Sequence, residues 1–592
     1  MTGIEAGKTW SRIGPEVAPT ASVASGVWTL NEVAENQAKW PQPPTGFLAY
    51  TNFGTFGVQA DTYISKGPLR PKGGSDLYFA SRTNVAFNGT SNTAAVFGKY
   101  VKSGKDAPTS LNLQHAVSWT GTDSAGSNYY SANMDSMQNL MVDSTNGDLY
   151  AVSDGSYYPT KNNGSRYWTL FKWNSSGALQ TYWGVNSSST YRNKNDPVGR
   201  GTNQLSGTNF YSIGSSPNDN GMTYLQCLAT MGYYGSNQWQ TAWCFPRFGS
   251  SADLLGTYSL TAISTNIASA TQSTNDGYLE PADSGHHFFC AGWYEPNAPY
   301  SGRTSVIINK IKNSDNTIGW NQYSSIVARP GGSGVGNGTV AESYPAGAAA
   351  DTSGNCYAGI NYVSTLPNGD SRGIGNIFKF NTSGAVQWQY ALRPYNGSAA
   401  GPAISIRSIC LGDDNDLYFT ADQTDAIDLT NTTNCATFGR IANINTSSPT
   451  LAWATQFYNG VDANGNKQYA YSRDVSHDPV NNQVFIIGYA GLKNPPQMAS
   501  FMVGADDNGA TTNGTITLVG NTATVTDVAS LIEFLPTTTN TGASNMNVNL
   551  ETLTRELQYT VSYSPYEVAG GSALSISTPS GANEITVQSG RV

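Results

Sequence analysis

Charge is scarce in this chain of 592 residues: only 12% are Asp, Glu, Lys or Arg, and the formal net charge is −9. So little charge excludes a coiled coil or a charged disordered chain. There is no basic run, which argues against nucleic acid as a partner, because neutralising phosphates needs clustered Lys and Arg. No apolar run approaches the roughly 18 residues of a membrane span. The start, MTGIEAGKTW, has no apolar h-region, so no secretory signal is expected and synthesis in a cytosol is the reading. Cysteine is also sparse, and its six copies form no C-x-x-C pair. Three lie in strand-like runs (FFCAGW, NCYAGI, SICLGD), so buried free thiols are expected, with a Cys227–Cys244 bridge as the alternative. Histidine numbers four: His115, His286, His287 and His477. Neighbours on a strand point to opposite faces, so His286 and His287 are not expected to share a metal. No metal-ligand spacing, nucleophile elbow or P-loop is present.

What the chain does have is 63 Gly and 34 Tyr, with abundant Asn, Ser and Thr. Aromatic and β-branched residues next to Gly and Asn imply short strands joined by tight turns. Self-similarity is the strongest signal. A polar turn leads into an aromatic strand in GGSDLYFAS (73–81), STNGDLYAVS (144–153), SGTNFYSIG (206–214), SGHHFFCAG (284–292), TSGNCYAGI (352–360), DDNDLYFTA (413–421) and VNNQVFIIG (480–488). A second strand follows, with a Lys in VFGKY (96–100), TLFKW (169–173), IINKI (307–311) and NIFKF (376–380), and without it in LQCLA (225–229), FGRIA (438–442) and SFMVG (500–504). After another turn, a strand with Trp often closes the unit, as in VQWQYA (386–391) and LAWATQF (451–457). Units recur at roughly 60–80 residues, longer than the ~40–50 of compact propeller repeats. The excess falls in Asn- and Gly-rich connections expected to emerge on one face. Such sheets bury both faces only by stacking on neighbours. The expected fold class is all-β: a β-propeller of about seven four-stranded blades, with a short N-terminal arm plus helix and C-terminal strands.

The unit resembles degenerate propeller repeats of the form D-x-x-G-N-x-Y-x-x-G … F-x-x-K-x-x-x-x-G-x-x-x-W. The match is clearest at Asp351, Gly354, Asn355, Tyr357, Phe378, Lys379, Gly384 and Trp388. The resemblance implies fold and brings no catalytic residue with it.

Three segments are expected: residues 1–45 as an arm and helix for docking, 46–536 as the propeller, and 537–592 as strands that close the propeller or contact neighbours. In GVWTLNEVAENQAKWPQPP, Thr29 is the N-cap and Glu32 its capping-box partner; Trp28 and Val33 are spaced as a hydrophobic staple, and Pro41 ends the helix. Trp28, Leu30, Val33 and Trp40 are the candidate docking residues. The pattern Gly26, Val27, Trp28, Leu30, Asn31, Glu32, Trp40, Pro41 resembles short N-terminal segments of tail, fibre and other virion proteins of bacteriophages, marine ones in particular. That resemblance implies a virion structural protein, made in the host cytoplasm. Its expected partners are other virion proteins through the N-terminal segment, further copies of itself as a trimer or sixfold ring, and a host-surface glycan or protein. A capsid decoration or knob protein, and a secreted propeller that binds or cleaves glycans, are the alternatives.

Asp462–Asn466 (DANGN) resembles half of a calcium loop but lacks the distal Glu, and Asp413, Asp414 and Asp416 crowd a second turn. SDNTIGW (314–320) is similar to the Asp-box turn of sialidase propellers, without an identifiable arginine cluster beside it. Asp283, Glu280 and Glu342 are carboxylates with nothing tying them together as a glycosidic pair requires. The expectation is therefore no catalytic residue, no cofactor-binding residue, no metal ligand and no chemistry.

Overall fold

The computed structural model describes the strands between residues 48 and 587 and part of their connections, with side chains mainly from 140 to 536. The expected arm, the helix after Thr29 and the docking residues Trp28, Leu30, Val33 and Trp40 lie outside the described residues.

The described chain is all-β, and its one helical turn is a 3-10 turn at Ala529–Leu531. Four-stranded antiparallel meanders recur along it. The first runs through Tyr63–Ile64, Asp76–Thr83, Ala94–Val101 and Ser110–Val117. The second is Asn133–Val142, Leu149–Tyr157, Ser165–Trp173 and Leu179–Val185. The third is Leu205–Ser215, Tyr224–Gly235, Gln238–Gly249 and Leu254–Ala262. Next come Ser273–Asp283, His286–Tyr294, Thr304–Lys312 and Ser324–Ala328 as the fourth, then Thr339–Ala350, Cys356–Thr365, Ser371–Phe380 and Val386–Pro394 as the fifth. The sixth is Ile404–Leu411, Leu417–Gln423, Cys435–Ala442 and Thr450–Phe457. The last meander has only Ala470–Asp478, Gln483–Lys493 and Pro496–Asp506 from its own stretch; Leu48–Asn52 supplies its fourth strand, with Tyr50 opposite Val503.

The first strand of each meander packs beside the first strand of the next, and Tyr63–Ile64 packs against Ala470–Asp478. The cores lie between consecutive sheets. Phe288, Cys290 and Ile308 of the fourth meet Cys356, Ile360 and Phe378 of the fifth. Ile377 and Trp388 of the fifth meet Ile406, Ile409 and Phe419 of the sixth. Phe438 and Phe457 of the sixth meet Ile486 and Phe501 of the last. A strand sandwiched in this way is buried on both faces, and Leu417–Gln423 is buried at every residue. The innermost Ile404–Leu411 instead alternates along its first half, because one of its faces is not covered by a neighbouring sheet.

Beyond residue 506 the chain adds strands to outer edges. The hairpin Gly514–Leu518 and Asn521–Asp527 extends the sixth sheet, and Ile532–Pro536 extends the fifth. Thr541–Glu551 pairs with Leu254–Ala262 on one side and Ser324–Ala328 on the other. Leu574–Ser577 pairs with Leu48–Asn52. Each covers backbone groups that an open edge would expose.

The repeat motif has a local cause. Asp351 Oδ1 accepts the N–H groups of Ser353 at 3.0 Å and Asn355 at 2.9 Å, and Gly354 takes φ +81°, the left-handed region that suits glycine. Asn381 with Gly384 and Asp462 with Gly465 build the same turn. The Asp462 carboxylate thus accepts the N–H groups of its own turn.

One register expectation is corrected. In six copies the turn-plus-aromatic run falls on the second strand of its sheet, but SGTNFYSIG lies on the first strand of the third sheet, Leu205–Ser215. LQCLA and WQTAWC accordingly belong to the second and third strands there.

Candidate functional site

The tight turns of the fifth and sixth sheets converge at one end of the sheets, and there a cleft of about 1000 Å³ opens. Ala348, Ala349, Ile409 and Leu411 give it an apolar wall, while Glu280, Asp351, Asn445 and His477 contribute polar groups.

The floor is a hydrogen-bonded knot built from the repeat motif. Lys379, 6% exposed, donates to Ile444 O at 3.0 Å and Asn445 Oδ1 at 2.9 Å. Trp388 Nε1 donates to the same Ile444 O at 3.0 Å. The Lys379 ammonium also lies 5.4 Å from the centre of the Tyr357 ring. Tyr357 reaches Asp351 Oδ2 at 3.4 Å, and Asn415 Oδ1 accepts the Asn445 N–H. Burial pushes the Lys379 ammonium below the usual lysine range, against the pull of Asp351. Burial, and then the nearby Asp351 charge, push the Tyr357 phenol well up, so it stays a neutral hydrogen-bond donor.

The Lys and Trp of the repeat therefore fasten one sheet to the next. The fourth sheet does the same: Lys310, 2% exposed, donates to Gly354 O at 2.8 Å in the fifth and pairs with Asp283 at 3.2 Å. Where Arg440 replaces the lysine, it pairs with Asp416 in the turn of its own sheet, as Lys172 does with Asp148 at 3.0 Å.

Other residues singled out from sequence are dispersed. Asp283 accepts from Gly285 N–H at 2.8 Å and meets His286 Nδ1 at 2.7 Å. Burial works to raise its carboxyl, but the hydrogen bonds from His286, Gly285 and Lys310 outweigh it and hold the group below the usual carboxylate range. His287 is fully buried, facing away from the half-buried His286. His477 stacks on Tyr418 with ring centres 5.0 Å apart, at the cleft wall. The side chains of His115 and Glu342 lie outside the described residues. Among the described residues no three His, Cys, Asp or Glu gather as metal ligands. Cys227, Cys290, Cys356, Cys410 and Cys435 are buried free thiols, so Cys227 is not in a disulfide. Burial raises the thiols of Cys227, Cys290 and Cys356 well above their ordinary value.

No family model and no curated protein matches this chain. Among solved structures it is similar to a single-residue mutant of the Synechocystis apocarotenoid oxygenase, at 8% identity and a TM-score of 0.36, over 85% of this chain and 97% of that one. It is also similar to an ACO/RPE65 chimera, at 8% identity and a TM-score of 0.30, over 78% and 93%. The likeness is too remote to carry an activity across. The expectations of a phage virion protein, with its tail, fibre and knob variants, and of a chain without chemistry are nonetheless corrected here, since these similar structures are an apocarotenoid oxygenase and its chimera with RPE65.

Proposed function

We propose that the chain is a β-propeller of seven four-stranded blades, closed by Leu48–Asn52 in the last blade, and that it binds a small ligand in the cleft above the Lys379 knot. The closure is supported by two features: an N-terminal strand paired with Pro496–Asp506, and innermost strands that pack in sequence and return from the last meander to the first. A shared sheet of this kind makes the ends of the chain hold each other and removes the open edge.

The observation that carries the ligand reading is the cleft itself. A volume of about 1000 Å³ lies at the large end for a small-molecule site, and its lining combines apolar walls with converging polar groups. Ala348, Ile409 and Leu411 suit one apolar face of a ligand. Asn445, Gln387, Thr446 and Ser447 at the rim offer both donors and acceptors. The ligand class that fits is neutral, with one aliphatic or aromatic face and hydroxyl or amide groups along its edge.

The experiment is saturation-transfer NMR with neutral fragments of that class, on the native chain and on Ser353→Trp. Ser353 is exposed at the tip of its turn and lines the cleft, so an indole there fills the space with little effect on folding. Fragments are expected to bind the native chain and lose binding to the variant. Equal binding to both, or none to either, refutes the reading.

A further inference from the structure

The repeat sets a cation opposite the aromatic residue that opens the second strand. Across the ladder Lys172 faces Tyr150, Lys310 faces Phe288, Lys379 faces Tyr357 and Arg440 faces Tyr418. Three of these cations meet a carboxylate: Lys172 meets Asp148 at 3.0 Å, Lys310 meets Asp283 at 3.2 Å, and Arg440 meets Asp416. Among the described residues Lys379 has no carboxylate within ion-pair distance, and both atoms that accept from it, Ile444 O and Asn445 Oδ1, are neutral.

A single position makes the difference. In NGDLY (146–150) and DNDLY (414–418) the residue two before the tyrosine is Asp148 or Asp416, the carboxylate that takes the cation. In SGNCY (353–357) that position is Asn355, an amide that donates to Asp351 Oδ2 at 2.8 Å. Lys172 and Lys379 otherwise sit alike, each ammonium 5.4 Å from the centre of its tyrosine ring. At Lys172 burial works to lower the ammonium, but the hydrogen bonds with Tyr150 and Asp148 outweigh it and raise the group. At Lys379 burial wins over the pull of Asp351. A desolvated lysine without a counter-ion holds more of its population as the free amine, the form that attacks a carbonyl carbon. Lys379 also lines the cleft, together with Tyr357 and Trp388.

We propose that Lys379 Nζ condenses with an aldehyde carbon of the small neutral ligand of the cleft, a step that rests on the ligand reading above. The amine nitrogen bonds to the carbonyl carbon, its two protons pass to the carbonyl oxygen, the C–O bond breaks and water leaves. The product is an imine, formed without oxidant or reductant. Burial keeps the Tyr357 hydroxyl protonated, and it lies 3.5 Å from Asn445 Oδ1, the same oxygen that receives Lys379, so it is placed to carry those protons. The knot survives the change, because Ile444 O keeps the Trp388 donor and Asn445 Oδ1 keeps Tyr357.

The test is incubation of the full chain with benzaldehyde and sodium cyanoborohydride near neutral pH, with lysine adducts mapped by peptide mass spectrometry. Lys379 is expected to be labelled at least about tenfold faster than Lys172 and Lys310, which hold carboxylates. Asn355→Asp recreates the turn beside Lys172 and is expected to abolish labelling of Lys379 while labelling elsewhere is unchanged. If that variant does not fold by circular dichroism, the pH profile of the native chain decides: labelling of Lys379 is expected to level off at a lower pH than labelling of Lys172. Labelling of Lys379 no faster than that of Lys310, equal labelling in the folded Asn355→Asp chain, or coincident pH profiles overturns the proposal. Fragment binding seen by saturation-transfer NMR in that case leaves the ligand reading standing and removes the imine alone.

Discussion

Replacing Lys379 by Met removes the ammonium that fastens the fifth sheet to the sixth while keeping most of the side-chain volume. Two hydrogen bonds from a charged donor are lost, to Ile444 O and Asn445 Oδ1. Each such bond contributes about 1.5–3 kcal/mol. The gross loss is offset because the buried ammonium no longer has to be desolvated, and because Ile444 O keeps the Trp388 donor. A net destabilisation of about 2 kcal/mol follows. Trp388→Phe alone removes one neutral hydrogen bond and some packing, about 1–2 kcal/mol. The two changes share one acceptor, so they do not add. The double variant leaves Ile444 O without either side-chain donor and is expected to cost about 1 kcal/mol more than the sum of the singles. Urea denaturation of the four proteins measures this coupling, and hydrogen exchange at the Thr446 amide, which donates to Asn443 O, reports the loosened turn directly. Strictly additive costs, or Lys379→Met within about 0.5 kcal/mol of the native chain, would refute the clasp.

Three further outcomes are expected. Because the folded-state pKa of Asp283 is depressed, its carboxylate adds stability above the ordinary carboxylate range, and that stability is lost as pH falls through the depressed value; Asp283→Asn is expected to flatten the stability profile below about pH 4, and an unchanged acid limb contradicts the pairing with Lys310 and His286. Gly488→Ala is expected to cost about 3 kcal/mol or to leave the chain insoluble, since its Cβ would meet the Tyr471 carbonyl oxygen and would sit 2.8 Å from the Phe501 ring; a native-like melting temperature speaks against that close approach. Deleting residues 537–592 uncovers the edges of Leu254–Ala262 and Ser324–Ala328, so self-association visible by light scattering is expected, and a monodisperse truncated chain says those edges need no cover.

The turns were the most legible part of the sequence. Asp351, Gly354 and Asn355 sit in one local motif whose hydrogen bonds close within five residues, and such chemistry can be read from spacing alone. The repeat Lys and Trp were visible as a pattern but not as a clasp, because their shared acceptor Ile444 lies 65 residues from Lys379. The third copy misleads because SGTNFYSIG carries the turn-plus-aromatic pattern on an innermost strand. Leu48–Asn52 reads as an unremarkable polar strand; its pairing spans nearly the whole chain, and no local rule encodes that.

Ring closure is tested most directly by a pair of engineered cysteines. Thr51 faces Met502, and Tyr50 faces Val503, across the antiparallel ladder between the first strand and Pro496–Asp506. Opposed residues of such a ladder alternate between Cα separations of about 4.5 and 5.5 Å, both within disulfide reach. Mild oxidation of Thr51→Cys/Met502→Cys and of Tyr50→Cys/Val503→Cys, followed by proteolysis and mass spectrometry under non-reducing conditions, reads the bond. An intramolecular cross-link between the two distant segments in a monomeric chain is the expected result; cross-links only between different chains, or none in either pair, would contradict a propeller closed by its own N-terminal strand.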